Sequence, residues 1–245
     1  NLGPRVGRFN ADGSANDLPG HSIPMTIAGL MIIIIGFFGF LGACLLYPAP
    51  MAGSTADAGW LTIYGGPATL SSFAFNTLMS FAGGIIGAYF ITKDPFWMMS
   101  GALAGIFCAA AGLDLWYPGT AFALGFLGGV VIPYAHKMIT SWGIDDAVGA
   151  VSVHGVCGLI GVLAVGVLLG GYPPLTEGGE TISFTGQLVG AIAMGLGGFI
   201  PGYVVSWILN KCGILRTSDA VQQIGVDAEI PVAAYPENMQ SRDYS

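Results

Sequence analysis

Long apolar runs, broken by short polar or glycine-rich stretches, recur along the chain. A run needs about 20 residues to cross the hydrocarbon core of a bilayer. By that measure the pattern predicts six spans, over about 23–47, 67–92, 95–113, 117–135, 147–170 and 183–210. Residues 1–22 read as a polar loop rich in Gly, Pro, Asn and Asp. Residues 213–245 read as a polar tail, leaving 23–212 as the transmembrane bundle. No strand-like alternation and no repeat of 20–50 residues stands out, so the expected fold class is all-α integral membrane. The segment between the first two spans reads as a long loop of small residues.

Composition agrees. Hydrophobic residues make up 53% of the 245 positions and charged residues 9%. The mean hydropathy is +0.71. Soluble domains carry roughly 25% charged residues, so a polar shell cannot be built here. That excludes a soluble enzyme and a disordered chain. The net charge of −7 gives no footprint for nucleic acid. Forty glycines suit close helix packing in lipid. The four cysteines show no paired metal-ligand spacing and no disulfide framework, and three of them sit in apolar runs as small packing residues. No metal and no cofactor is expected. The chain opens on Asn1 in a polar segment, and the expectation is a processed product, a fragment or an incomplete chain.

Charge also orients the spans. The seven basic residues are Arg5, Arg8, Lys93, Lys137, Lys211, Arg216 and Arg242. With six spans, all of them fall on one side. The positive-inside tendency makes that side cytoplasmic, which places both ends of the chain there. The opposite loops hold Asp57, Asp114, Glu177 and Glu180 and no basic residue. Such a face either concentrates cations or merely reflects the orientation bias.

Within the spans, His154 is the one ionisable side chain at depth, expected about two turns into the fifth span. It reads either as a packed imidazole bonded to a carbonyl or as part of a polar path. Gly155, Gly158 and Gly161 follow at three-residue steps and would leave a stripe beside it without side chains. A neutral imidazole offers one donor and one acceptor, which suits a small neutral polar solute or a proton hand-off better than a bare cation. Asp145 and Asp146 precede that span and read as helix caps, with a proton or cation relay as the alternative. Phe37, Phe38 and Phe40 cluster near the end of the first span, as an interface anchor or as a hydrophobic plug. Gly83–Gly84 and Gly197–Gly198 read as close helix contacts. Pro133 and Pro201 fall inside the fourth and sixth spans.

Four stretches together resemble the ammonium transporter (Amt/Mep/Rh) family: LGPRVGRFN with GHSIPM, GFFGF, SGALAGIFCAAAG and, most specifically, DDAVGAVSVHGVCGLIGVLAVG. The resemblance covers about residues 2–216 and matches the second half of that family's chain, its sixth to eleventh helices. It implies one inverted-repeat half plus the final helix, assembled as a homotrimer with a pore in each subunit. It also implies a missing N-terminal half, in the same or a separate polypeptide. His154 then matches the second of two pore histidines, and Phe40 the inner of the aromatic gate residues from this half. Ile33 and Ala150 match apolar pore-lining positions. Asp145 and Asp146 match the acidic pair that opens the signature helix. Cys44 matches a serine of the outer recruitment site, and Phe37 replaces that motif's Trp. Leu41 stands where the family has Asn. A thiol is a weaker hydrogen-bond partner than a hydroxyl, so capture at the outer site is weakened.

The implied activity is ammonium/ammonia transport, not catalysis. The tail keeps Leu215, Arg216 and Gly225 to Asp227 but lacks the family's acidic run and HisGlyGlu ending. A PII-type regulator is therefore only weakly implied. A non-conducting scaffold or ammonium-sensing subunit is the main alternative. A membrane enzyme built on His154 is a third, and it lacks a carboxylate or second histidine at that depth.

Overall fold

The computed structural model describes residues 1–18, 20, 22–43, 57–63, 65, 67–172 and 181–225. Its elements are α1 (Ile23–Gly42), a hairpin of β1 (Asp57–Leu61) and β2 (Pro67–Thr69), α2 (Leu70–Thr92), α3 (Pro95–Ala109), α4 (Pro118–Ser141), α5 (Cys157–Leu168), α6 (Phe184–Lys211) and α7 (Asp219–Ile224). A π-helical segment, Val151–Val156, runs directly into α5. Among the described residues, six helices are long and apolar enough to cross a membrane.

Local chemistry sets the helix starts. Ser22 caps α1, and Pro24 sits in its first turn, where an amide proton would have no helical acceptor. Thr69 and Ser72 form a reciprocal capping box at the start of α2, with bonds of 3.1 and 3.0 Å. Asp94 accepts from the Trp97 amide ahead of α3. At the other end of α2, Lys93 takes a left-handed conformation and turns the chain. The helices of the bundle matter because lipid offers no hydrogen-bond partners to an open backbone.

The core lies among α2, α3 and α4, and glycine makes it. A Cβ on Gly84 would lie 2.0 Å from the Gly101 carbonyl oxygen, and one on Gly129 would lie 2.1 Å from the Gly84 oxygen. At Gly125 it would lie 2.2 Å from the Ser80 oxygen. Backbone therefore touches backbone, where apolar surface alone gives no drive for helices to associate in lipid. The turn after α3 is tied in by polar groups: the buried Asn76 donates to the Leu113 and Trp116 carbonyls at 2.8 and 2.9 Å. Trp116, fully buried, donates from Nε1 to the Ala109 carbonyl at 2.8 Å.

The described chain groups into two compact units. One comprises residues 19–142 and 146–195; the other comprises 1–18, 143–145 and 196 onward. In the second, Arg216 donates to the Leu2 and Pro4 carbonyls at 3.1 and 2.6 Å. The Gln222 amide oxygen accepts from the Val6 amide.

Several expectations need correction. The first two spans are joined by an antiparallel hairpin, and Pro67–Thr69, expected in a helix, is its second strand. The fourth helix runs on to Ser141 and so contains Lys137, expected in a loop. A helix needs no apolar side chains once it leaves the hydrocarbon, so the charge did not mark its end. The fifth helical stretch starts later than expected because the chain turns at Gly149, whose φ is +73°. Gly83–Gly84 are close contacts, but a Cβ on Gly197 or Gly198 would meet no described atom. Pro133 and Pro201 lie inside α4 and α6.

Replacing Gly84 with Ala should destabilise the bundle by about 1–3 kcal/mol through backbone overpacking. Gly197→Ala should be neutral or slightly stabilising. Thermal unfolding in detergent of both variants distinguishes these outcomes.

Candidate functional site

The candidate site is built on the turn that ends at Gly149 and on the π-helical segment after it. The Asp146 carboxylate is buried and accepts three hydrogen bonds: from the amides of Val151 and Ser152 at 3.0 and 3.1 Å, and from the Ser152 hydroxyl at 2.9 Å. These amides are the ones a helix start leaves without a helical partner, and a negative charge is favoured there. The His136 Nδ1 lies 3.9 Å from the same carboxylate, and its ring packs 4.9 Å from that of Trp97. Asp145 turns elsewhere. It takes Arg5 through Nε at 2.7 Å, the second terminal nitrogen at 2.9 Å and the backbone amide at 3.0 Å. Arg8 Nε lies 3.4 Å away.

His154 is the fourth residue of the π segment. π turns are rare and concentrate at functional sites, because the wide turn aims a side chain away from the ordinary helical phase. The imidazole stands edge-on to Phe107, with ring centres 4.3 Å apart. The other side of His154 is exposed. It borders a hollow of about 330 Å³ whose lining includes Ile33, Leu30, Leu103 and Ala150, with Thr26 and Ser100 as the hydroxyl groups. A second hollow, of about 420 Å³, is lined by Ile33, Gly36, Phe37, Phe40 and Phe107. Ile33 borders both. Phe37 packs edge-on against Phe107, with centres 5.6 Å apart, and against Phe40 at 6.1 Å.

Ile33, Ala150 and His154 therefore meet in one hollow, and Ile33, Phe37 and Phe40 in the adjoining one. Asp146 sits at the start of the helix that carries His154. Asp145 lies in the other compact unit with its arginines. Cys44 lies outside the described residues. The expected glycine stripe divides: a Cβ on Gly161 would lie 2.4 Å from the Phe107 carbonyl oxygen, whereas Gly158 faces open space. Sequence reasoning missed Phe107, whose ring packs against both His154 and Phe37. Its signal was available, since it is the lone aromatic in the small-residue segment SGALAGIFCAAAG.

The geometry can now be set beside known proteins. A model of the Ammonium Transporter Family matches residues 1–234. The chain belongs to the ammonium transporter family. It is 32% identical over 241 residues to "Ammonium transporter Amt1" of Methanocaldococcus jannaschii, covering 96% of this chain and 56% of that protein. It is 31% identical over 252 residues to "Ammonium transporter Amt2" of Archaeoglobus fulgidus, covering 96% and 50%. A solved structure described as "Sensor Amt Protein" superposes with a TM-score of 0.74 at 26% identity, covering 94% of this chain and 54% of that one. This family member thus spans about half the length of the relatives it matches. It is an integral membrane protein by family and by its six apolar helices.

Two outcomes follow from the carboxylates. Asp146→Ala should cost about 2 kcal/mol, the loss of a buried cap, and lower the thermal midpoint. For Asp145, the hydrogen bond from Arg5 holds its carboxyl below the ordinary carboxylate range, and the same bond raises Arg5. A depressed carboxylate contributes stability that is fully present above its unfolded value, near 4, and is lost as pH falls through the folded one. Protection against hydrogen exchange in residues 1–18, relative to the unfolded chain at the same pH, should therefore fall below about pH 4, and Asp145→Asn should lower that protection at neutral pH.

Proposed function

We propose that the chain is the C-terminal half of an ammonium/ammonia channel in which ammonium is deprotonated and ammonia passes an apolar path beside His154. The observation that carries this reading is one exposed imidazole opening onto a hollow otherwise lined mainly by apolar side chains. Stripping water from a small cation costs on the order of 20 kcal/mol in the idealised limit. Deprotonating an amine about two units above ambient pH costs roughly 3 kcal/mol. A path walled by Ile33 and Ala150 therefore passes ammonia far more readily than ammonium. Potassium and sodium have no proton to shed and are rejected. His154 supplies one acceptor and one donor for the solute or its proton.

In this reading Phe40 is the gate of this half and Phe37 its neighbour, and Cys44 marks a weakened outer recruitment position. Asp146 caps the helix that carries the imidazole. Helices of a missing N-terminal half close the open side of the hollow, and three such assemblies form a homotrimer. Both ends of the chain face the cytoplasm, with residues 1–22 as loop, 23–212 as bundle and 213–245 as tail. A PII-type regulator is the weakest element of the proposal.

A second reading, a sensing or scaffold subunit, draws support from Leu41 and Cys44 at positions where the family carries Asn and Ser. The likeness to a protein named as a sensor points the same way.

The test is ammonium-driven flux in proteoliposomes holding the chain with its N-terminal half. His154→Ala should lower ammonia flux by about 100-fold or more, the lower end of the range expected when a proton-transfer group is lost. Unchanged flux with unchanged exclusion of potassium overturns the assignment of His154. No flux from the unmutated assembly favours the sensing reading.

A further inference from the structure

Two thiols stand behind the wall that carries His154, and the proposed transport does not use them. Cys108 and Cys157 are both fully buried. Cys108 is the chain neighbour of Phe107, the ring against His154, and Cys157 lies three positions after His154. The Cys108 thiol donates to the Cys157 carbonyl at 3.4 Å, and the Cys157 sulfur lies 3.9 Å from the Gly128 carbonyl oxygen. Around them α3 and α5 run backbone to backbone: a Cβ on Gly161 would lie 2.9 Å from the Cys108 carbonyl oxygen.

We infer that Cys108 and Cys157 are a redox-sensitive pair, oxidised by a peroxide to a disulfide that staples α3 to α5. The chemistry balances in two steps. One thiol attacks the peroxide: an S–O bond forms, the O–O and S–H bonds break, and water leaves with the thiol proton. The second thiol attacks the resulting sulfenic acid: the S–S bond forms, the S–O and second S–H bonds break, and a second water leaves. The sulfur pair loses two electrons and the peroxide gains them. A disulfide has an S–S bond of about 2.05 Å and so ties the two helices together at this point. It also shifts the seat of Phe107, and with it the face presented to His154.

The decisive experiment removes the other two cysteines. In C44A/C212A protein held in membranes, mild hydrogen peroxide followed by denaturation and alkylation should leave no alkylatable thiol, against two per chain before treatment. Dithiothreitol should restore both. Fragment mass should place a cross-link, about 2 Da lighter than the two peptides summed, between Cys108 and Cys157. Two alkylatable thiols surviving treatment that oxidises the denatured chain overturn the proposal. So does separate conversion of each cysteine to sulfenic or sulfinic acid without a link. In C44A/C212A/C108A the cross-link should vanish. This readout is independent of flux, so its failure leaves the transport reading standing and the reverse holds too.

Discussion

Three hydrogen bonds into one buried carboxylate hold the start of the helix that carries His154. Asp146 satisfies two amides and a hydroxyl at once, in a buried place where unpaired polar groups are costly. A neutral cap could bond these groups, but it would lack the charge that the helix start favours. The turn at Gly149 and the π segment after it are the backbone consequence. The imidazole is therefore aimed by its own chain, through contacts within a few residues, before any neighbouring helix contributes.

What the neighbours contribute is distance. Glycines at the crossings of α2, α3 and α4 let carbonyl oxygens occupy space that any Cβ would fill. The same device at Gly161 brings α5 against α3, and so brings Phe107 against His154 and Cys108 against Cys157. Dispersion contacts fall off steeply with separation, and in lipid they must do the work that the hydrophobic effect does in water. A single methyl group at these crossings would move a helix, and the hollow beside the imidazole would change shape with it.

The two carboxylates of the signature helix illustrate how adjacent, identical residues acquire different tasks. Asp146 turns inward to amides of its own helix. Asp145, one residue earlier, is claimed by Arg5 and approached by Arg8. Guanidinium groups take a carboxylate in paired bonds, whereas helix amides approach it along one axis. The surroundings decide which carboxylate serves which partner.

The spans, the membrane setting and the family were legible in the chain itself, because each rests on local composition or on a contiguous motif. Twenty apolar residues have few places to go other than a bilayer, and DDAVGAVSVHGVCG carries its neighbours with it. The hairpin at 57–69 was hidden among small residues with little alternation, and the extension of α4 past His136 was hidden by its charges. The glycine pairs at 83–84 and 197–198 look alike as sequence, yet among the described residues only the first meets another backbone. Phe107 and the Cys108–Cys157 contact were equally out of reach, since they join positions about 50 residues apart. Periodicity reports which side of a helix is apolar; which helix stands opposite, and how closely, is decided by backbone packing that only the assembled bundle contains.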